Sequence, residues 1–212
     1  MNEKFDSILI QIQIQMTNMI QMANKIQITN KIPIIMKIIT KQKDKFFYYS
    51  GSADKLPGKG IQEIGNPEDY EELAKIKDWR KVLSNFHLYL FKYDGYTFNT
   101  IEHAFHYEKT KLVCKMKAFE FTIESGTTLG LADGSIAKQA RKLVLLNRDQ
   151  LSLWDEIKHT IMKKISIEKY NQCPLAVKVL LATKNAELWH IISRSTIRLH
   201  VEYLEKIRDS FK

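Results

Sequence analysis

Between Trp79 and Lys109 the chain reads WRKVLSNFHLYLFKYDGYTFNTIEHAFHYEK, and the end of this stretch carries Glu102, His103, His106 and Lys109. On a helix, Glu102, His106 and Lys109, four and three positions apart, project from one stripe with Phe105 beside them. A carboxylate, an imidazole and an amine on one face can do acid/base and nucleophilic chemistry. Each also has a plainer reading. Glu102 follows Asn99 by three residues and could complete a capping box; Lys109 in EKTK could be a solvated charge. His103 and His106 could be structural hydrogen-bonding groups.

The elements around this stripe must hold it in place. The run His87 to Phe98 predicts two strands around Asp94-Gly95, a hairpin turn signal, and the helix bearing Glu102 follows directly. Upstream, Phe46 to Ser50 reads as a short strand, followed by the loop GSADKLPGKG. Asn66 can then cap a helix with Pro67 at its first position, Glu68 and Asp69 complementing the dipole, and Tyr70, Leu73 and Ile76 on its apolar face. Downstream, Phe119 to Ile123 reads as a strand or a helix end, TTLGLADGS as a loop, and Ile136 to Leu146 as a helix. A longer helix is expected from Asp155 toward Asn171, with Trp154, Ile157, Ile161 and Ile165 spaced for one buried face. Pro174 opens a shorter helix through Leu181, and Ile197, Val201, Leu204, Ile207 and Phe211 fit a final amphipathic helix. The fold class expected is mainly α: a compact helical domain with a small antiparallel β element.

Composition narrows the function classes. At 212 residues and 44% hydrophobic content the chain can bury one substantial core. Cys114 and Cys173 form no CxxC pair, so neither a zinc site nor a disulfide framework is expected, and a reducing intracellular compartment such as the cytoplasm fits. No apolar run approaches the roughly 20 residues a membrane helix needs, so no membrane partner is expected. The net charge of +9 permits attraction to phosphates on nucleic acids or on metabolites without choosing between them. Residues 1–45 hold seven lysines against three acids, +4 of that surplus.

This first segment has a texture of its own, with 12 isoleucines in its first 40 residues. The alternation from Ile8 to Gln15 reads as a strand with one apolar face, yet no turn residues fold it back. Residues 1–45 are therefore expected to be an Ile/Gln/Asn-rich extension, and 46–212 the functional domain.

Further candidates lie outside the central stripe. The PGKG loop, with Gly58 and Gly60 around Lys59, could cradle a phosphate through backbone amides aided by Lys55, or be a surface turn. Tyr49 belongs to FFYYSGSADK, whose aromatic and basic residues could contact nucleic acid or form a buried strand. Arg141 and Lys142 are phosphate ligands if they face the pocket and solvated charges otherwise. Trp154 is either a core anchor or a pocket wall.

The blocks FYYSGSADKLPGKG, WRKVLSNF, DGYTFNTIEHAFHYEK, GSIAKQARK, LWDEIKHTIMKKISIEKYNQ and LLATKNAELWH, in this order from Phe46 onward, resemble the NADAR family, also called YbiA-like. The resemblance implies cleavage of an N-glycosidic bond. The substrate would be a phosphoribosylamino-pyrimidine intermediate of riboflavin biosynthesis, or ADP-ribose on guanine in DNA or RNA. It implies Glu102 as the catalytic glutamate, Lys109 as the amine that attacks the sugar C1, and Trp154 as a tryptophan associated with activity. Ser84, Asn85 and Phe86 correspond to the turn that lines the pocket; His106 is taken as a further candidate substrate contact. No cofactor or metal is implied. Many bacterial members carry a WGxG segment near the C-terminus; here LWHIISRSTIRLHVEYLEKIR is expected to run straight into the last helix, with Trp189, His190 and Arg194 supplying contacts instead. A non-catalytic module binding ADP-ribose or an NAD derivative is a further alternative.

Overall fold

The computed structural model describes residues 43–192 and 196–212, with 11, 13–19, 21, 22 and 25 from the N-terminal region. The chain divides into two units, Met1–Gln42 and Lys43–Lys212. The described residues of the first unit are helical, so positions 11 and 13–15 of the expected strand lie in a helix instead. Thr17 Oγ1 donates to the Gln13 carbonyl one turn back, at 2.8 Å. Glutamine and methionine are good helix formers, and no glycine or proline interrupts 11–25, so the alternation there does not enforce a strand.

In the second unit the chain runs β1 (Lys45–Tyr48), a 3₁₀ turn (Pro67–Tyr70), α1 (Glu71–Ala74), α2 (Trp79–Val82), β2 (Phe91–Tyr93), β3 (Tyr96–Phe98) and α3 (Ile101–Lys111). It continues with α4 (Lys115–Phe119), α5 (Thr128–Leu131), α6 (Gly134–Gln139), α7 (Arg148–Gln172), α8 (Pro174–Ala182), β4 (Glu187–Ile191), β5 (Arg198–His200) and α9 (Glu202–Asp209). It is mainly helical, as its sequence predicts, but the β structure is not solely antiparallel. β1 pairs in parallel with β4, in the register Phe46↔Leu188 and Tyr48↔His190, and β4 pairs antiparallel with β5. Only the β2–β3 hairpin is the expected antiparallel element, turning through Asp94 (φ 50°) and Gly95 (φ 80°).

The C-terminal segment therefore does not run straight into a helix. It first forms β4 and β5, and Ile197 lies before β5 rather than on the last helix. The TTLGLADGS loop holds a helical turn, α5, capped by Thr127, whose Oγ1 accepts the Gly130 amide at 3.1 Å. Asp133 then caps α6 by accepting the Ser135 and Ile136 amides. The helix expected over 136–146 is only α6 and a 3₁₀ turn, Ala140–Lys142.

Helix α7 starts earlier than its apolar spacing indicates because Asn147 and Gln150 form a reciprocal capping box, each bond 2.9 Å. Its 25 residues reach both clusters of the core. Tyr170 packs with Phe46, Leu73, Trp79, Leu180 and Leu188 around the three-stranded sheet. Ile165 packs with Phe91, Phe98, Ile101, Ala104 and Phe121 beneath the hairpin and α3. Pro174 cannot continue the hydrogen-bond ladder and holds Cys173 extended (φ −112°), so a new helix begins there.

Candidate active site

Helix α3 has two buried faces. Ile101, Ala104 and Tyr107 enter the core, while Glu102 and His106, 8% and 6% exposed, are covered on another side. The helix starts at Thr100, not Asn99: Thr100 Oγ1 accepts the His103 amide at 3.3 Å, and Asn99 Nδ2 donates to the Ala132 carbonyl at 2.7 Å. Glu102 is thus not engaged as the glutamate of a capping box. Its carboxylate instead meets His106, Oε1 to Nε2 3.2 Å, one turn along.

The Glu102 backbone amide donates to the Asn85 carbonyl at 3.2 Å, tying the helix to the Ser84–Phe86 turn. That turn is tight: Ser84 Oγ accepts the Phe86 amide, the Ser84 carbonyl accepts the His87 amide, and Asn85 Nδ2 donates to Met162 Sδ on α7. Gly134 packs on it so closely that a Cβ there would stand 2.8 Å from Phe86 Cα. Lys138, one turn further along α6, places its ammonium 5.7 Å from the Phe86 ring centroid.

His106 leaves Nδ1 enclosed and without a hydrogen-bond partner. The Glu102 carboxylate accepts from its Nε2–H. Its ring sits between Phe105 (5.7 Å) and Phe121 (6.1 Å). His103 has a different job. Its Nε2 donates to the Leu129 carbonyl at 3.0 Å and its Nδ1 accepts from Thr100 Oγ1 at 2.8 Å, while burial holds its pKa below the usual imidazole value. It is a neutral strut between α3 and α5.

Lys109 is half-buried and, among the described residues, its side-chain amine makes no hydrogen bond or ion pair. Seven helical residues put its Cα about 10 Å along the axis from that of Glu102 and roughly 20° around it, on the same stripe. Trp154 is 5% exposed, its ring 4.8 Å from that of Phe105. Its indole is thus buried against the Phe105 ring.

The other sequence candidates fall in several places. Tyr49 forms a turn in which its amide donates to Ser52 Oγ, and the Lys55 carbonyl accepts Trp79 Nε1 at 3.1 Å. Gly58 (φ 80°) lies against Pro67, and Gly60 (φ 83°) beside the Lys55 side chain. Arg80, 6% exposed, donates to the Ala53 carbonyl and fastens the same loop. The contacts of Lys55, Gly58 and Gly60 thus run to α2 and the Pro67 turn rather than to Glu102. Arg141 is exposed on the 3₁₀ turn after α6. Arg194 lies outside the described residues.

Two groups near the stripe come from tertiary placement. Lys138 was not distinguishable from Arg141 by local pattern, yet it is the one over Phe86. His190, on β4, packs against Tyr48 at 5.6 Å. Its pKa is lowered by burial first and by the Lys138 charge second, with Glu102 pulling the other way, so both charges act on its ring. Among the described residues no cluster of His, Cys, Asp and Glu could hold a metal ion, and no helix is long and apolar enough to cross a membrane.

No family model and no curated protein matches the chain. Among solved structures, the NMR structure of the E. coli protein YbiA is similar in fold, with a TM-score of 0.53 and 18% sequence identity. The match covers 81% of this chain and 87% of that one. The chain therefore has a YbiA-like fold.

Proposed function

We propose that this protein is an N-glycosidase that hydrolyses the ribosyl C1–N bond of phosphoribosylamino-pyrimidines, releasing ribose 5-phosphate and the amino-pyrimidine. The observation that carries this reading is the buried Glu102 carboxylate, hydrogen-bonded to His106 and framed by the Ser84–Phe86 turn. Rupture of the C1–N bond builds positive charge on the sugar, which a preorganised carboxylate in a poorly solvated site stabilises. The same carboxylate can take a proton from the water that attacks C1, with the His106 Nε2–H hydrogen bond fixing its orientation.

Lys109 supplies a second route. A ribosylamine opens to an imine, and the unpaired Lys109 amine can displace the pyrimidine amine to form a lysyl imine. Water then releases the sugar aldehyde and regenerates the amine. Lys138, over the Phe86 ring and without an ion pair among the described residues, gives the neighbourhood a positive potential suited to a phosphate. Trp154 acts by packing Phe105 against the site rather than by presenting an open face.

A second reading keeps the bond and changes the leaving group: ADP-ribose on guanine in DNA or RNA. The unpaired cations and the net charge of +9 favour it. Separate incubation with the two substrate classes distinguishes them, because one yields ribose 5-phosphate and the other ADP-ribose. Binding of ADP-ribose with neither product formed would identify a non-catalytic module instead.

A further inference from the structure

Lys169 lies in the last turn of α7 and is 1% exposed. Among the described residues it forms no salt bridge with a carboxylate; the acceptor of its Nζ is the His87 carbonyl at 3.2 Å. An ammonium carries three N–H donors, so a single backbone acceptor leaves a buried cation poorly compensated. Burial accordingly pushes its pKa down to about 7, opposed by Cys173 just past the end of its helix. The titratable group facing it from the neighbouring segment is His87, whose pKa is pushed to about 4, by burial first and by Lys169 second. The His87 Nδ1 is itself enclosed and without a partner.

Such a residue is costly as a core element, and an apolar side chain of similar length would fill the space at less expense. What it holds is specific. His87 follows the Ser84–Phe86 turn, and the same helix fastens this stretch at two further points: Asn85 Nδ2 to Met162 Sδ, and Tyr89 Oη to the Gln172 carbonyl at 2.7 Å. The turn in turn accepts the Glu102 amide through the Asn85 carbonyl. That amide lies in the first turn of α3, where no intrahelical acceptor exists, so its bond to Asn85 links the catalytic helix to the turn.

We propose that Lys169 is a positioning residue: by holding the His87 carbonyl from inside the core, it sets the Ser84–Phe86 turn and, through the Asn85 carbonyl, the start of the helix that carries Glu102. The inference rests on the glycosidase reading for its kinetic consequence, but its structural consequence is measurable without any substrate.

The test compares the full chain with Lys169→Met, which keeps length and removes donor and charge. Amide hydrogen exchange resolved by NMR reports on the Glu102 N–H, and turnover of a phosphoribosylamino-pyrimidine reports on the site. The variant is expected to melt no lower than the wild type, to exchange the Glu102 amide at least 10-fold faster, and to lose at least 10-fold in kcat with KM within about 3-fold. A residue that only fills the core would leave exchange at Glu102 and kcat per folded molecule unchanged, whatever the melting temperature; that result overturns the proposal. Should the methionine variant fail to fold, Lys169→Leu carries the same comparison. If the wild type turns over neither substrate class, the glycosidase reading fails on its own, and the exchange of Glu102 still decides the role of Lys169.

Discussion

The buried amine of Lys169 makes a quantitative prediction about stability and pH. In the unfolded chain a lysine titrates near 10.5, whereas in the folded protein burial brings Lys169 to about 7. Between these values the unfolded state holds a proton that the folded state has released, so stability rises with pH across the window, by up to about 1.4 kcal/mol per pH unit. The whole window corresponds to roughly 5 kcal/mol, borne in full below pH 7 and relieved as the pH climbs toward 10.5. Lys169→Met removes the titration. Urea unfolding of both proteins at pH 6, 7, 8 and 9 isolates it, because groups common to both cancel in the difference, and His87, with its pKa near 4, stays neutral throughout. The stability of the wild type relative to the variant is expected to improve by about 2–3 kcal/mol between pH 7 and pH 9, and to change little between pH 6 and 7. A relative stability constant to within about 0.5 kcal/mol from pH 6 to 9 would show that folding does not desolvate this amine, and the reasoning would fail.

Two further outcomes follow from local geometry. A Cβ on Gly130 would stand 2.1 Å from the Thr122 carbonyl oxygen, a backbone atom that cannot swing away, so Gly130→Ala is expected to destabilise by about 2–3 kcal/mol and to lower Tm by roughly 5–10 °C in a thermal melt. Borohydride added during turnover is expected to reduce the lysyl imine and leave the sugar on Lys109, visible as a mass increase on its peptide; an unmodified peptide under continuing turnover would assign the attack to water.

Much of the second unit was legible because local chemistry decides it. A two-residue hairpin turn needs φ > 0 at both central positions, which Asp94 and Gly95 tolerate, and Pro67 and Pro174 mark helix starts that the chain uses. The Glu102 stripe was legible as well, since helical spacing alone places Glu102, His106 and Lys109 on one face. What escaped depends on partners distant in sequence. β4 is five residues long and is a strand because β1, from the other end of the domain, lies beside it; no turn glycine announces it. The start of α7 could have been read from Asn147 and Gln150, a capping box that the apolar spacing from Trp154 onward overshadowed. Lys138 and His190 reach the neighbourhood of Glu102 only through the packing of α6 and β4, and neither carries a local mark of that position. The cap at Thr100 in place of Asn99 turns on which side chain the Leu131–Ala132 carbonyls attract, which again is tertiary.

In the proposed reaction the Glu102 carboxylate drives cleavage of a ribosyl C1–N bond. Its most direct test is release of ribose 5-phosphate from a phosphoribosylamino-pyrimidine by the wild type and by Glu102→Gln, both checked for an unchanged melting temperature. Turnover by the wild type is expected, with a loss of at least 100-fold, about 2.7 kcal/mol, in the variant. Equal turnover by the two proteins would contradict it and return Glu102 to a structural partner of His106.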